Sequence, residues 1–480
     1  MNLNFKHVIL LIIPLLGLVA CEKDLDTVPE TSIEEAYAFD TPERVLGQVN
    51  SLYDALKSGN FLGGRYLINM DIRAEEFINM GGNGFMGLAV WNHGLNSTTL
   101  EVENFWIAAY GAINKANVFL KGLETHAAKI DPQLLPQYKA EAKFIRAISY
   151  FDLVVIYARP YTLNNGASPG LPLRLSAETT AENNDLVRSS VSAVYNQIIE
   201  DLNEAEMYLP TNYTGKSAPI TAILNVSRAR KSAAIALKTR VYLSMGKYAD
   251  VIREADKIDP GNKSNGLYNP KLEPKVTTPF TTYTTQESIF SMPMTEGDGP
   301  GTQNQLGYYY NKSLPGGGEY SLNAKGIIAD TGWHATDDRR TGFIISGATN
   351  YLKKYNSSNF TDYVPVIRYA ETILNYAEAA ARMGDLPKAV ELLKLIRNRS
   401  DAAYVFPVSA IATQDELIKT ILTERRIELL GEGFRSIDLL RLGMTIPGKG
   451  TVNALDPSQV LYIWPIPNSE MLTNKLMTQN

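Results

Sequence analysis

A mostly α-helical chain is the fold this sequence predicts: a tetratricopeptide-like scaffold of about four helical hairpins, with a loop-rich irregular insertion and an irregular C-terminal segment. Three observations lead there. Apolar residues recur at 3.6-residue spacing over most of the chain. Two stretches read as complete helix-turn-helix units. Residues 261–365 lose that period and fill with Gly, Pro, Ser, Thr, Asn and Tyr. With 480 residues, 45% of them hydrophobic and 20% charged, the chain is long and apolar enough to bury a large core.

The elements follow in order. An apolar run, Val8 to Ala20, starts just after Lys6 and is interrupted by Pro14. It is roughly a dozen residues long against the ~20 that span a bilayer, so residues 1–20 read as an export signal. Cys21 ends the run and is the only cysteine of the chain. Leu18-Val19-Ala20-Cys21 resembles the lipobox of bacterial lipoproteins, which makes Cys21 the expected site of lipidation and the membrane anchor. No intramolecular disulfide is possible. The acidic stretch Glu22-Lys23-Asp24-Leu25-Asp26 resembles the export tags of surface lipoproteins in Gram-negative bacteria, so an outer-membrane protein facing the cell surface is expected.

Residues 21–480 are expected to form a single domain, its scaffold built from 42–260 and 366–442. Helices are expected over 102–124, with Trp106, Tyr110 and Ile113, and over 137–157, followed by 187–209. The clearest unit runs from Leu237, Val241 and Leu243 through Gly246-Lys247-Tyr248 to Ile252, Ala255 and Ile258, with Asp259-Pro260 as its terminator. Another runs from Leu374, Tyr376, Ala377 and Ala380 through Gly384-Asp385 to Ala389, Leu392 and Leu393. Such hairpins bury their apolar faces by stacking on one another. Met80 to Ser97 and residues 443–480 lack helical period, and the insert 261–365 is where a binding surface is expected, because long irregular segments rich in aromatics are seldom idle.

Several catalytic strings match by letter and fail on physics. Gly82-Asn83-Gly84-Phe85-Met86-Gly87 fits GxGxxG, but no apolar strand precedes it. Gly166-Ala167-Ser168-Pro169-Gly170 fits GxSxG, yet Pro169 has no N–H to offer an oxyanion. His93, His126 and His334 show no paired spacing, so neither a metal site nor an acid-base triad is expected, and no cofactor. A net charge of -5 with dispersed basic residues argues against nucleic acid. The ordered charges near the end form two sets, Glu424 with Glu428, and Arg435, Asp438 with Arg441. They read as a partly buried ion-pair network, together with Arg146 and Arg368, and not as a catalytic centre.

These pieces, taken in order, resemble the SusD/RagB family of outer-membrane nutrient-binding lipoproteins. The likeness is carried by Trp106 to Tyr110 with Ala116-Asn117, Glu141 through Arg146-Ala147 to Tyr150-Phe151, and Asp337-Asp338-Arg339-Arg340. It continues in Arg368-Tyr369-Ala370-Glu371, Arg397-Asn398-Arg399, Glu424-Arg425-Arg426, Glu432-Gly433-Phe434-Arg435 and Trp464-Pro465-Ile466-Pro467. The resemblance implies a non-enzymatic receptor that hands oligosaccharide, or in some relatives peptide, to a SusC-like TonB-dependent barrel. A surface glycosidase and a scaffold that binds only protein are the rival readings.

Sugars have apolar C–H faces and polar rims, so aromatic rings beside amides are the side chains to seek. Tyr outnumbers Phe 26 to 15 in this chain. The insert offers Asn304 and Gln305 just before Tyr308, Tyr309 and Tyr310, with Tyr320 and Trp333 downstream. Trp91, in the earlier irregular stretch, completes the expected ligand-binding set.

Overall fold

The computed structural model describes residues 37–180, 182, 184–258 and 270–480. The export signal, Cys21 and the terminator Asp259-Pro260 lie outside the described residues.

Helix packing proceeds down the chain as four hairpins. The first joins Pro42–Leu56 to Leu100–Thr125. Its start is set by Thr41, whose hydroxyl accepts from the Arg44 N–H at 3.3 Å, and by Pro42, which needs no partner for a missing N–H. Val45, Val49, Leu52 and Leu56 then fall on one buried stripe. Leu135–Tyr157 packs on Leu100–Thr125 and pairs with Val191–Tyr208 as the second hairpin. The third is Lys231–Ser244 with Tyr248–Ala255. Every residue from Ser232 to Ser244 is buried, and its small residues Ala233, Ala234 and Ala236 let neighbouring helices close around it. Gly246, at φ +69°, makes the turn that a side chain would strain. Tyr369–Arg382 and Leu386–Ser400 form the fourth, and Gln414–Glu428 packs across both.

The expected insert is irregular and tied down by short pairings. Ser288–Met292 runs antiparallel to Val364–Arg368 with a shifted register between Ser288 and Ser291. Phe77–Asn79 pairs with Tyr320–Leu322, which joins the insert to the irregular stretch after Met80. Buried apolar residues of the hairpins and the insert form one contiguous core. The C-terminal segment is held by its own aromatics. Trp464 is fully buried, with its ring 6.3 Å from Phe105 and 5.9 Å from Tyr157, and its backbone N–H donates to the Ile156 carbonyl at 2.9 Å.

The charged residues singled out above are paired, and all but the half-buried Arg435 are buried. Arg339 contacts Asp337, Glu424 and Glu428 at 2.5–3.1 Å. Arg368 contacts Glu287, Glu428 and Glu432, while Arg399 meets Glu287 and Glu428. Burial alone would raise the Glu428 carboxyl, but Arg399, Arg368 and Arg339 outweigh it and hold it far below the usual range. Arg146 bonds Asp201 at 2.7 Å and Asn117 at 2.9 Å. One expected set divides: Asp438 and Arg441 pair with each other at 2.8 Å, whereas Arg435 turns to Glu75 at 2.6 Å. Helix Arg435–Arg441 is seven residues long, about two turns, and an offset of six residues turns Arg435 well away from the side that carries Arg441.

Candidate functional site

The tyrosine run of the insert forms the short helix Leu306–Tyr310. Helical geometry sends Leu306, Tyr309 and Tyr310 to one side, and that side is the core. Tyr309, Tyr310 and Tyr320 are 0% exposed and Trp333 is 1% exposed, so these four expected ligand contacts have no free face to offer a sugar. Their energy is spent on packing. Tyr310 lies 4.8 Å from the Phe77 ring and its hydroxyl donates to Asp71 at 3.3 Å. Tyr309 stacks on Tyr320 at 6.0 Å, and the Tyr320 hydroxyl donates to the Met86 carbonyl at 2.7 Å. Trp333 lies beneath the Arg340 guanidinium at 5.1 Å.

The other four expected residues reach the surface in part. Tyr308 is half-buried with its edge on Phe360 at 5.6 Å. Gln305 is half-buried at the N-cap of its helix. Asn304 has an amide already committed: Arg65 Nε donates to its Oδ1 at 2.8 Å, and its Nδ2 donates to the Pro300 carbonyl at 2.8 Å. It presses on Gly64, where a Cβ would come within 2.1 Å of the Asn304 carbonyl oxygen at a backbone φ of +155°. Only glycine fits there. Trp91 is half-buried, donates to the Phe77 carbonyl at 2.9 Å, and stands apart beside Gly450 and Lys449.

Beside Asn304 the structure opens a small cleft of about 90 Å³. Its walls come from three places that the sequence keeps apart: Asn60, Arg65 and Asn69 from the first turns after the first helix, Phe85 from the glycine-rich stretch, and Leu100, Glu101 and Asn104 from the start of the long helix. Gln303 closes it from the insert, held at φ +61°, a conformation few residues other than glycine adopt. Phe85 is 63% exposed at the rim, and Leu100 beside it is also exposed. Asn60, Asn104 and Gln303 make no side-chain hydrogen bond among the described residues. Asn69 is 2% exposed, and its Oδ1 has no partner either. Arg65 spans the floor, donating to the Phe85 carbonyl at 2.6 Å, with its other terminal nitrogen 3.9 Å from Glu101.

Four amides with a group that has no partner among the described residues offer neutral donors and acceptors beside an exposed ring and a loosely matched Arg–Glu pair. No reactive thiol, hydroxyl–base pair or histidine lines the cleft. Among the described residues no group of His, Cys, Asp or Glu could hold a metal ion, and no helix is long and apolar enough to cross a membrane.

Stacked hairpins with a loop-built layer over one end place the molecule among helical-repeat scaffold proteins. More narrowly, the chain belongs to the SusD family, which residues 239–480 match. Residues 26–243 match a family described as starch-binding and associating with the outer membrane. A SusD-like protein of Formosa agariphila is 25% identical over 99% of this chain and 98% of its own. Among solved structures, a SusD superfamily protein from Bacteroides fragilis is 33% identical, with a TM-score of 0.82 over 92% of this chain and 99% of that one. A laminarin-binding SusD-like protein shares the fold at 22% identity and a TM-score of 0.71, over 92% of this chain and 99% of that one.

Of the amide run 303–305, Gln303 lines this cleft and has no side-chain partner among the described residues, whereas the Asn304 amide is bonded to Arg65 and Pro300 and Gln305 stands at the N-cap of its helix. Phe85 was within reach as an aromatic set among glycines. Asn104 and Glu101 carry no signal, because they look like ordinary solvent positions on a helix.

Proposed function

We propose that this chain captures oligosaccharides in the cleft beneath Phe85 without altering them, and passes them to a SusC-like TonB-dependent transporter in the outer membrane. The supporting observation is the cluster of unpartnered amides at Asn60, Asn69, Asn104 and Gln303 beside an exposed ring. A sugar's C–H face stacks on Phe85, and its hydroxyls meet amides that donate and accept at once. A ligand lacking those hydroxyls would leave buried polar groups unmatched, at about 1–3 kcal/mol each, which gives the site selectivity. A receptor that hands on its cargo must release it, so the dissociation constant belongs in the micromolar to millimolar range, about -8 to -4 kcal/mol. In this reading Cys21 carries the lipid that holds the receptor at the cell surface, and no further membrane contact is required.

Calorimetry with residues 22–480 and laminarin- or starch-derived oligosaccharides tests this. Phe85→Ala is expected to weaken binding at least tenfold, about 1.4 kcal/mol, with its fold intact. Undiminished binding in both Phe85→Ala and Gln303→Ala would remove the cleft from the reading. Peptide binding with no glycan binding would change the ligand class. Shortened glycan products would make the protein an enzyme.

A further inference from the structure

The helix Leu100–Thr125 borders concavities at both ends, and they differ in chemistry. Its first turn lines the amide cleft. Its C-terminal half, with Phe39 and the segment 175–179, lines a groove of about 1250 Å³, far larger than the cleft's 90 Å³. Asn114 is shared between this groove and a hollow beside Trp106 and Tyr110, so the concave surface continues along the helix. At 1.5 Å per residue, Glu101 and Lys121 stand about 30 Å apart.

The groove is positively charged, in a chain whose net charge is -5. Lys115, Lys121 and Lys139 line it, and their ammonium groups have no ion pair or hydrogen bond among the described residues. Lys143 is matched by Glu204, and Arg146 by Asp201, so neither adds to the excess. Glu124 is the one lining carboxylate left without an ion pair among the described residues, against three such ammonium groups. Unmatched charge of one sign in a concavity focuses its field and raises the local concentration of opposite charge. A wall that also offers the Gln48 amide and the Thr179 hydroxyl suits a ligand carrying both hydroxyls and anionic groups.

We propose that this groove is a second binding site, for an oligosaccharide bearing carboxylate or sulfate groups. It rests on the reading of the chain as a glycan receptor but uses none of the cleft's residues. The neutral amides at one end of the helix and the lysines at the other then select different parts of a glycan, or different glycans.

The test is calorimetry on residues 22–480 with oligogalacturonate, dextran sulfate oligomers and neutral dextran. Binding of either anionic probe, weakening as salt is raised, is expected. The triple substitution Lys115→Glu, Lys121→Glu, Lys139→Glu should weaken it at least tenfold, and the milder Lys→Ala triple should weaken it in the same direction. Binding untouched by both triples, or no binding of either anionic probe, overturns the proposal. The acidic positions Glu30, Glu34 and Glu35 supply a rival occupant by charge. If an anionic probe binds only after Glu30→Gln, Glu34→Gln, Glu35→Gln, the groove belongs to that acidic stretch and the glycan assignment falls. Anionic binding that depends on the lysines while neutral glycans bind nowhere would sink the cleft and leave the groove standing.

Discussion

The ion lattice under the fourth hairpin and the cleft under Phe85 are both rich in polar side chains, and they treat them in opposite ways. In the lattice, Arg339, Arg368, Arg397, Arg399 and Lys354 face Asp337, Glu287, Glu424, Glu428 and Glu432, and each charge has an opposite partner. In the cleft, four amides have at least one group with no partner among the described residues. Burying polar groups is costly unless they are matched. A matched set therefore speaks of stability; among the cleft's amides only Asn69 is buried, while Asn60, Asn104 and Gln303 are half-buried and open to a ligand or to water.

The comparison breaks most sharply at Glu428, which meets Arg339, Arg368 and Arg399 at 3.1, 3.3 and 2.5 Å. Glu428→Ala leaves those guanidiniums short of a counter-charge and is expected to cost about 3–5 kcal/mol, read as a large drop in melting temperature, with glycan affinity of the folded fraction unchanged. Trp333→Ala belongs with it. A buried ring removed from a packed core costs about 3–5 kcal/mol, and if the same variant lost glycan binding at full stability, Trp333 would return to the ligand site.

Arg435→Ala should cost less, about 1.5–3 kcal/mol, since its bond to Glu75 is charged and its side chain keeps 14% exposure. Loss of affinity without loss of stability in that variant would make the network functional. The smallest effect concerns pH. Burial raises the Asp152 carboxyl to about 7 from an ordinary 3.8, with Arg240 opposing it. A raised acid contributes stability that is complete below about pH 4 and lost as pH climbs through 7. Asp152→Asn should narrow the difference between melting temperatures at pH 5 and pH 8, and an unchanged difference would mean that the carboxylate is ionised throughout.

Sequence alone determined what depends on local spacing. The units 237–258 and 374–393 appear as Lys231–Ser244 with Tyr248–Ala255 and as Tyr369–Arg382 with Leu386–Ser400, because 3.6-residue periodicity and a glycine turn are written residue by residue. The burial of Glu424, Glu428 and Arg368 was legible too, since charges ordered among apolar neighbours must find partners when buried. What the sequence left open was direction. Tyr308, Tyr309 and Tyr310 are identical in composition, yet one reaches the surface and two fill the core, and that follows from which side of a five-residue helix meets Phe77 and Tyr320. Only tertiary structure could bring Asn60, Phe85, Asn104 and Gln303 to one cleft, because each is unremarkable among its own neighbours and acquires meaning from side chains up to hundreds of residues away.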